Sequence, residues 1–496
     1  MNPKCRNMKN NISFYMVILL WFFINGQIMA QTVMNLEHAL EVAMENSPEI
    51  KELELSLIRS QELLNAQNAA LKSQFSLSLT PMDYSQDRSF NNFFSTWNTS
   101  ETKQSSGMFR ISQPLKWTDG TLALINRFSW QDSYSEYQDT RNKTFSNNLY
   151  LSLQQPIFTY NRTKLALREL ELDLENTTLR YGIRKLALER NVTQTFYAVY
   201  QNRMSLQIGM EEYENQKKSY EIIKNKVDAG ISAMEELYQA ELNLATSKSN
   251  MENQQVILEN SLDTIKNLIG ISLFDDISVT ADITHRPVEV DLQKAIDHGL
   301  KNRKELRQRK ISIENSQFNL IRTSAMNEFK GSITLSYGII GTDEQFEEIY
   351  DVPTKNQRYS VSIDIPLWDW GEKKSRIKAS EAVIQTNELS LDVEKNNIII
   401  AIRQVYRNLQ NLVNQIEIAR QNERNAQLTY DINLERYENG DLTSMDLSLF
   451  QNQLSQKKIA LVSSRINYKI ELLNLKIQSL WDFERNQPVV PEEFIQ

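Results

Sequence analysis

Two long stretches of the chain carry hydrophobic residues at helical spacing and contain no proline: from Pro156 to Pro287 and from Pro366 to Pro488. In the first, Leu165, Leu172, Leu179 and Leu186 recur every seven residues. In the second, Ile398, Ile402, Val405, Leu409, Leu412 and Ile416 step by three and four. Such stripes predict helices packed side by side, as in a coiled coil. One strong interruption divides each stretch, Asp228-Ala229-Gly230 in the first and Glu438-Asn439-Gly440 in the second. Glycine just past a helix end takes the left-handed conformation that closes it. The following helix would start from Ser232-Ala233-Met234-Glu235 or Thr443-Ser444-Met445-Asp446, each read as a capping box with a hydroxyl at the cap and a carboxylate three residues on. The pattern predicts helices over Arg162 to Ala229 and Glu372 to Asn439, each of about 68 residues and roughly 100 Å. A helix of that length does not fit inside a compact domain.

Between the helical parts the period changes to two. Phe75, Leu77 and Leu79 alternate with Ser76, Ser78 and Thr80, and Leu149, Leu151 and Leu153 with Tyr150, Ser152 and Gln154. Ile333, Leu335, Tyr337 and Ile339, then Tyr359, Val361, Ile363 and Ile365, repeat the theme. These are strands with one apolar and one polar face. The apolar face packs on a second sheet in a soluble sandwich, or faces lipid in an outer-membrane barrel. Four strands cannot close around a lumen, so an oligomer is expected; three chains would give twelve strands. Phe109, Ile111, Leu115, Leu122, Leu124, Phe128 and Trp130 flank the turn Thr118-Asp119-Gly120 and read as an extra hairpin near 107–131. The sequence leaves open whether it enlarges the barrel or decorates one end. Met82 to Ser106 and Gly341 to Gln357 read as external loops, with Trp97 and Tyr350 as candidate interface anchors.

The plan is stated twice. Leu36, Ala39, Leu40, Asn46, Glu49 and Ile50 match Leu292, Ala295, Ile296, Asn302, Glu305 and Leu306 at a constant offset. Leu151-Ser152-Leu153 and Pro156-Ile157-Phe158 match Val361-Ser362-Ile363 and Pro366-Leu367-Trp368 at a second offset, which Gly230 and Gly440 keep. The chain is an internal duplication, with a first repeat over 31–285, a second over 286–481 and a tail over 482–496.

Composition narrows the class. Glycine numbers 13 in 496 residues, too few for the tight turns of a Rossmann or P-loop enzyme. Lys and Arg total 55 against 63 Asp and Glu, a balance that argues against nucleic acid as a partner. Residues 1–30 carry Lys4, Arg6 and Lys9, no acidic residue, and an apolar run from Phe14 to Ile24. This reads as an export signal ending near Ala30. Cys5, the single cysteine, precedes the apolar run and would leave with it. That excludes disulfides and thiolate chemistry from the mature chain. His38, His285 and His298 lie far apart without a second ligand at helical spacing, so no metal, cofactor or catalytic site is expected.

With these features together, the chain resembles the TolC-like outer-membrane efflux protein family. The resemblance covers nearly all of the expected mature sequence. It rests on the Leu36-to-Ile50 opening, the Pro156-Ile157-Phe158 and Pro366-Leu367-Trp368-Asp369-Trp370-Gly371 junctions, and the two helix–Gly–helix tips. It implies a mostly α, duplicated fold with a small membrane β-barrel portion: a homotrimer with a twelve-stranded barrel in outer-membrane lipid and a helical tunnel across the periplasm. It further implies docking to a periplasmic adaptor of the membrane fusion type and to an inner-membrane transporter. Tyr437, three before Gly440, matches the family's gate tyrosine, and Asp446, six after it, a selectivity carboxylate. The family's arginine and further acidic position fall on Leu442 and Leu449, so its polar lock is half present. Glu236 is the first-half counterpart of Asp446, a solvated charge or a second ring member. Asp228, Glu438 and Asp441 read first as solvated charge at the tips. Gly230 and Gly440, with Asp228 and Asp441, mark the expected adaptor contacts. The expected function is a passive duct, not an enzyme, with a non-conducting coiled-coil scaffold or surface adhesin as the alternative.

Overall fold

The computed structural model describes residues 32–284 and 286–489. The expected export signal and His285 lie outside the described residues, as do the last seven residues of the tail. The elements run in the order β1 (Thr32–Met34), α1 (Leu36–Asn46), α2 (Pro48–Ala70), β2 (Gln74–Asn91), β3 (Thr96–Leu115), β4 (Gly120–Ser135), β5 (Thr140–Ile157), α3 (Arg162–Asp228) and α4 (Met234–Ile269). There follow β6 (Ile277–Val279), α5 (Leu292–Asn302), α6 (Lys304–Ser324), β7 (Lys330–Asp343), β8 (Thr354–Asp364), α7 (Glu372–Asn439), α8 (Ser444–Ser479) and two short terminal strands, β9 (Trp481–Asp482) and β10 (Gln487–Pro488). Each half thus has two short helices, strands, a helix of 67 or 68 residues and a returning helix of 36. No described helix is long and apolar enough to cross a membrane.

Two compact units divide the chain. One takes the chain up to Leu53, Gly182–Arg303 and the part from Asn396 onward. Its core is a helical seam in which Leu188, Val192, Phe196, Ile265, Ile269, Ile398, Ile402 and Leu475 are buried. The duplication is visible in its packing: α1 lies on α4 and α5 lies on α8. A polar N-cap starts α1 and α5, Asn35 accepting from the His38 amide and Asp291 from the Gln293 and Lys294 amides. A parallel pair, β1 with β6, lies beside these helices, and the Arg203 guanidinium bonds the Val279 carbonyl.

The second unit, Glu54–Tyr181 and Lys304–Lys395, holds one antiparallel sheet in the order β2-β3-β4-β5-β7-β8. The extra hairpin therefore joins the sheet, which has six strands among the described residues. Cross-strand register puts Leu77 opposite Phe109, Ile111 opposite Leu124, Leu124 opposite Leu151, Leu151 opposite Tyr337 and Leu335 opposite Tyr359. One face of all six strands is thus apolar, and these side chains are largely exposed. The other face carries Ser78, Arg110, Arg127, Ser152, Ser336 and Ser362.

The segment Met82 to Ser106, read from sequence as a loop, is mostly strand. β2 runs to Asn91 and β3 starts at Thr96, with a register shift between Thr80 and Asp83. Both faces are polar there, so the period-two signal is lost while the ladder continues. The second expected loop shrinks likewise to the stretch between Asp343 and Thr354, which includes a 3₁₀ turn, Glu348–Tyr350. That turn folds onto the sheet, where the Asn147 amide donates to the Tyr350 hydroxyl and Phe346 packs edge-on against Phe128 and Phe145. Trp97 packs on Phe90, with Arg88 over its ring.

Polar contacts tie helices α2, α3 and α6 of this unit. Arg307 on α6 binds Glu175 on α3 through two bonds of 2.5 and 2.8 Å and reaches Glu314 at 2.9 Å. That bidentate contact holds the Glu175 carboxyl below its usual range and raises the guanidinium. Ser60 on α2 meets the Thr177 hydroxyl at 3.1 Å.

Candidate functional site

The sequence-predicted site residues gather at the turns of the two hairpins, where α3 meets α4 and α7 meets α8. Gly230 has φ +70° and Gly440 φ +89°. Their amides bond the Val227 and Tyr437 carbonyls, and the next residue of each reaches back to Lys226 or Arg436. A Cβ at either glycine would meet nothing within 4 Å, so left-handed backbone and not space requires glycine. Gly440→Ala should cost about 1–2 kcal/mol of local strain. The check is faster amide exchange confined to the turn, with the rest of the helices unchanged.

The two turns differ in how the next helix begins. Thr443 caps α8 as expected: its hydroxyl accepts from the Asp446 amide at 3.2 Å and donates to the Asp446 carboxylate at 2.7 Å. The capping box expected at Ser232 does not form. Ala233 is the cap of α4 and offers no side-chain bond. The Ser232 amide instead bonds the Lys226 carbonyl, completing the closure of α3.

Tyr437 is the best-buried side chain of the site, 1% exposed, in a cluster with Ile223, Ala240, Tyr430, Leu447 and Leu454. Its hydroxyl donates to the Ser219 carbonyl on α3 at 3.1 Å. The Lys226 ammonium, also on α3, donates to the Tyr437 carbonyl at 2.8 Å and lies 5.4 Å from its ring centre. Burial pushes the phenol up to about 12, so it stays a neutral donor well above physiological pH. Leu442, where the resemblance places an arginine, packs against this apolar cluster instead.

Glu236, in the first turn of α4, accepts from the Ser444 amide at 3.0 Å. A carboxylate of one hairpin thus satisfies a free N–H at the start of the other hairpin's helix, where the helix dipole favours negative charge. Further along, Gln216 and Asn215 of α3 bond Ser448 and Gln451 of α8, and Lys458 of α8 pairs with Glu211 of α3 at 2.7 Å. Asp228, Glu438, Asp441 and Asp446 remain exposed at the turns. Ile231, Met234, Tyr238, Met445 and Leu449 stand beside them, each at least half exposed.

The structure therefore joins Tyr437 and Glu236 to the opposite hairpin, whereas Gly230, Gly440, Asp228 and Asp441 stay at the turns themselves. Sequence reasoning missed Ser219 and Lys226. Ser219 acts through its backbone carbonyl, which no side-chain pattern signals. Lys226 does stand four before Gly230, where a cation suits a helix end, but its reach to Tyr437 is a tertiary fact.

Residues 295–477 match the sequence profile of the outer membrane efflux protein family. No curated protein matches the sequence. Among solved structures, the CmeC outer membrane channel of Campylobacter jejuni superimposes with a TM-score of 0.68 at 14% identity, covering 91% of this chain and 86% of that one. The outer membrane protein VceC of Vibrio cholerae gives 0.66 at 14% identity, covering 90% and 95%. The open state of the MtrE outer membrane channel of Neisseria gonorrhoeae gives 0.64 at 11% identity, covering 90% and 88%.

Proposed function

We propose that this chain belongs to the outer membrane efflux protein family, whose profile residues 295–477 match, and is the outer-membrane duct of a multi-part export machine. In this reading, three copies close a barrel in outer-membrane lipid and a helical tunnel below it. A periplasmic adaptor docks on the hairpin turns, and an inner-membrane transporter supplies the energy. The observation that carries the reading is the pairing, in one chain, of a sheet whose apolar face is bare with two duplicated, glycine-turned helical hairpins. A soluble scaffold would leave Leu77, Tyr337, Val361 and their neighbours in water, whereas lipid covers them at no cost.

The chain's own residues assign the parts. Small polar side chains on the opposite face make a wet wall, permissive for solutes of many kinds. The hairpin turns form the periplasmic gate: Tyr437, held by Ser219 and Lys226, fixes the second hairpin against the first, and opening requires those bonds to break. The apolar side chains Ile231, Met234, Met445 and Leu449, mixed with Asp228 and Asp441, suit the adaptor's contact surface. Fractionation with planar-bilayer recording tests the whole. A heat-modifiable oligomer in the outer membrane that conducts ions is expected; a soluble, non-conducting chain would overturn it.

Asp446 has two compatible roles, helix cap and ring carboxylate. Three copies at a constriction favour cations. Asp446→Asn should move the reversal potential in a salt gradient toward that of a non-selective pore, while asparagine keeps an oxygen for the Thr443 hydroxyl. An unmoved potential would leave Asp446 with the cap alone.

A further inference from the structure

We infer that the edges β2 and β8 are the sites at which copies of this chain join, and that the resulting trimer encloses an eighteen-stranded barrel, not the twelve-stranded one expected from four strands per chain. The inference rests on the trimer of the proposed function for its copy number. The strand count rests on the sheet alone. All six strands are joined by antiparallel ladders, with 16 residue pairs between β2 and β3, interrupted once by the shift between Thr80 and Asp83, and 16 between β3 and β4. The added hairpin therefore lies in the body of the wall.

Its side chains obey the same facing rule as the rest. Phe109 and Ile111 of β3, and Leu122, Leu124, Phe128 and Trp130 of β4, share the apolar face with Leu149, Leu151 and Leu153 of β5. Arg110 and Arg127 share the other face with Ser152 and Ser336. A hairpin that decorated the outside of a barrel would have no reason to continue this division strand by strand. The apolar row from Leu122 to Trp130 also spans nine residues, the length a tilted strand needs to cross a bilayer. Beyond it on the same face come Lys103 and Lys143, which belong in water or among headgroups, with Asp132 between them, buried and paired with Arg141. Asn126 is the polar exception within the row.

Two edges remain. Among the described residues β2 and β8 carry no outer neighbour, and unpaired backbone N–H and C=O groups are not tolerated in lipid. Six strands are too few to close on themselves, since small membrane barrels start at eight. The edges fit each other. β2 leaves the helical side of the sheet and β8 returns to it, so β8 of one copy beside β2 of the next is again an antiparallel pair. Alternation is kept around the ring, and the strand number stays even, as an all-antiparallel closed barrel requires. Diameter grows roughly linearly with strand number, giving a barrel about one and a half times as wide as a twelve-stranded one. The outer-membrane end then imposes little constriction, and selection falls on the hairpin turns.

The test uses the full chain in a Cys5→Ser background. Ser76→Cys, Ser78→Cys or Thr80→Cys in β2 is combined with Ser360→Cys or Ser362→Cys in β8, all on the polar face, and the membranes are oxidised. Expected is a register-selective disulfide that links copies into a trimer on non-reducing gels, with eighteen strands counted by cryo-electron microscopy of the untreated particle. A three-copy particle with twelve wall strands and the β3–β4 hairpin outside would overturn this proposal and leave the trimer standing. A particle of another copy number would overturn the trimer itself, whatever the strand count.

Discussion

Tyr437→Ala will leave the channel open at rest, raising single-channel conductance several-fold over the parent in planar bilayers. The side chain is almost wholly enclosed, and truncating a buried aromatic costs about 3–5 kcal/mol in transfer and cavity terms. The loss falls locally, because hairpin turns open with less free energy than the body of the helices. Graded variants separate packing from hydrogen bonding. Tyr437→Phe keeps the ring among Ile223, Leu447 and Leu454 and removes the hydroxyl with its bond to the Ser219 carbonyl, about 1 kcal/mol. Lys226→Met removes a charged donor from the Tyr437 carbonyl, about 1.5–3 kcal/mol. Conductance should therefore rise in the order parent, Phe, Met at 226, Ala at 437. A folded Tyr437→Ala channel with parental conductance would show that the tyrosine packs the hairpins without gating them.

The phenol's raised pKa adds a pH window to the same contact. A tyrosine whose folded pKa lies above its unfolded value stabilises fully below the unfolded value, near 10, and loses that contribution as pH climbs toward about 12. Tyr430 beside it is pushed up to about 12 by burial as well, so the two act in the same direction. Both phenols stay neutral in the physiological range, so this contact between the hairpins does not respond to pH there.

What could be read from the sequence were features that local chemistry settles. Gly230 and Gly440 marked the turns because only glycine takes that φ cheaply, and Pro366 with Gly371 marked where α7 could start. Helix α7 begins and ends where the pattern put it, at Glu372 and Asn439. Thr443 was legible as a cap, whereas Ser232 was not, since the choice between capping α4 and closing α3 depends on a one-residue register. Strand number was obscured by β2 beyond Thr80 and β3 before Ser106, which are polar on both faces and leave no periodicity. The partners of Tyr437 and Glu236 lie more than 200 residues away in sequence. They follow from which hairpin packs on which, and no residue pattern reports that.

Leu151→Arg will abolish outer-membrane assembly, and Ser152→Arg, one residue on, will not. Leu151 stands on the apolar face between Leu124 and Tyr337, and Ser152 on the other face between Ala123 and Ser336. An arginine facing lipid near the bilayer centre costs about 2–4 kcal/mol, whereas lumen substitutions alter selectivity and leave insertion intact. Each trimer would carry that cost three times, against a typical folding stability of about 5–15 kcal/mol. The native lumen face already holds Arg110 and Arg127, so a further guanidinium there meets water it can bind. The measurement is the heat-modifiable oligomer in the outer-membrane fraction: absent for Leu151→Arg, near parental for Ser152→Arg. The pair also separates duct from scaffold, because the two readings predict opposite signs. If the sheet lay in water, Leu151 would be an exposed apolar side chain, and arginine there would improve solubility without loss of fold. A soluble, folded Leu151→Arg chain would therefore reject the membrane barrel, and with it the duct.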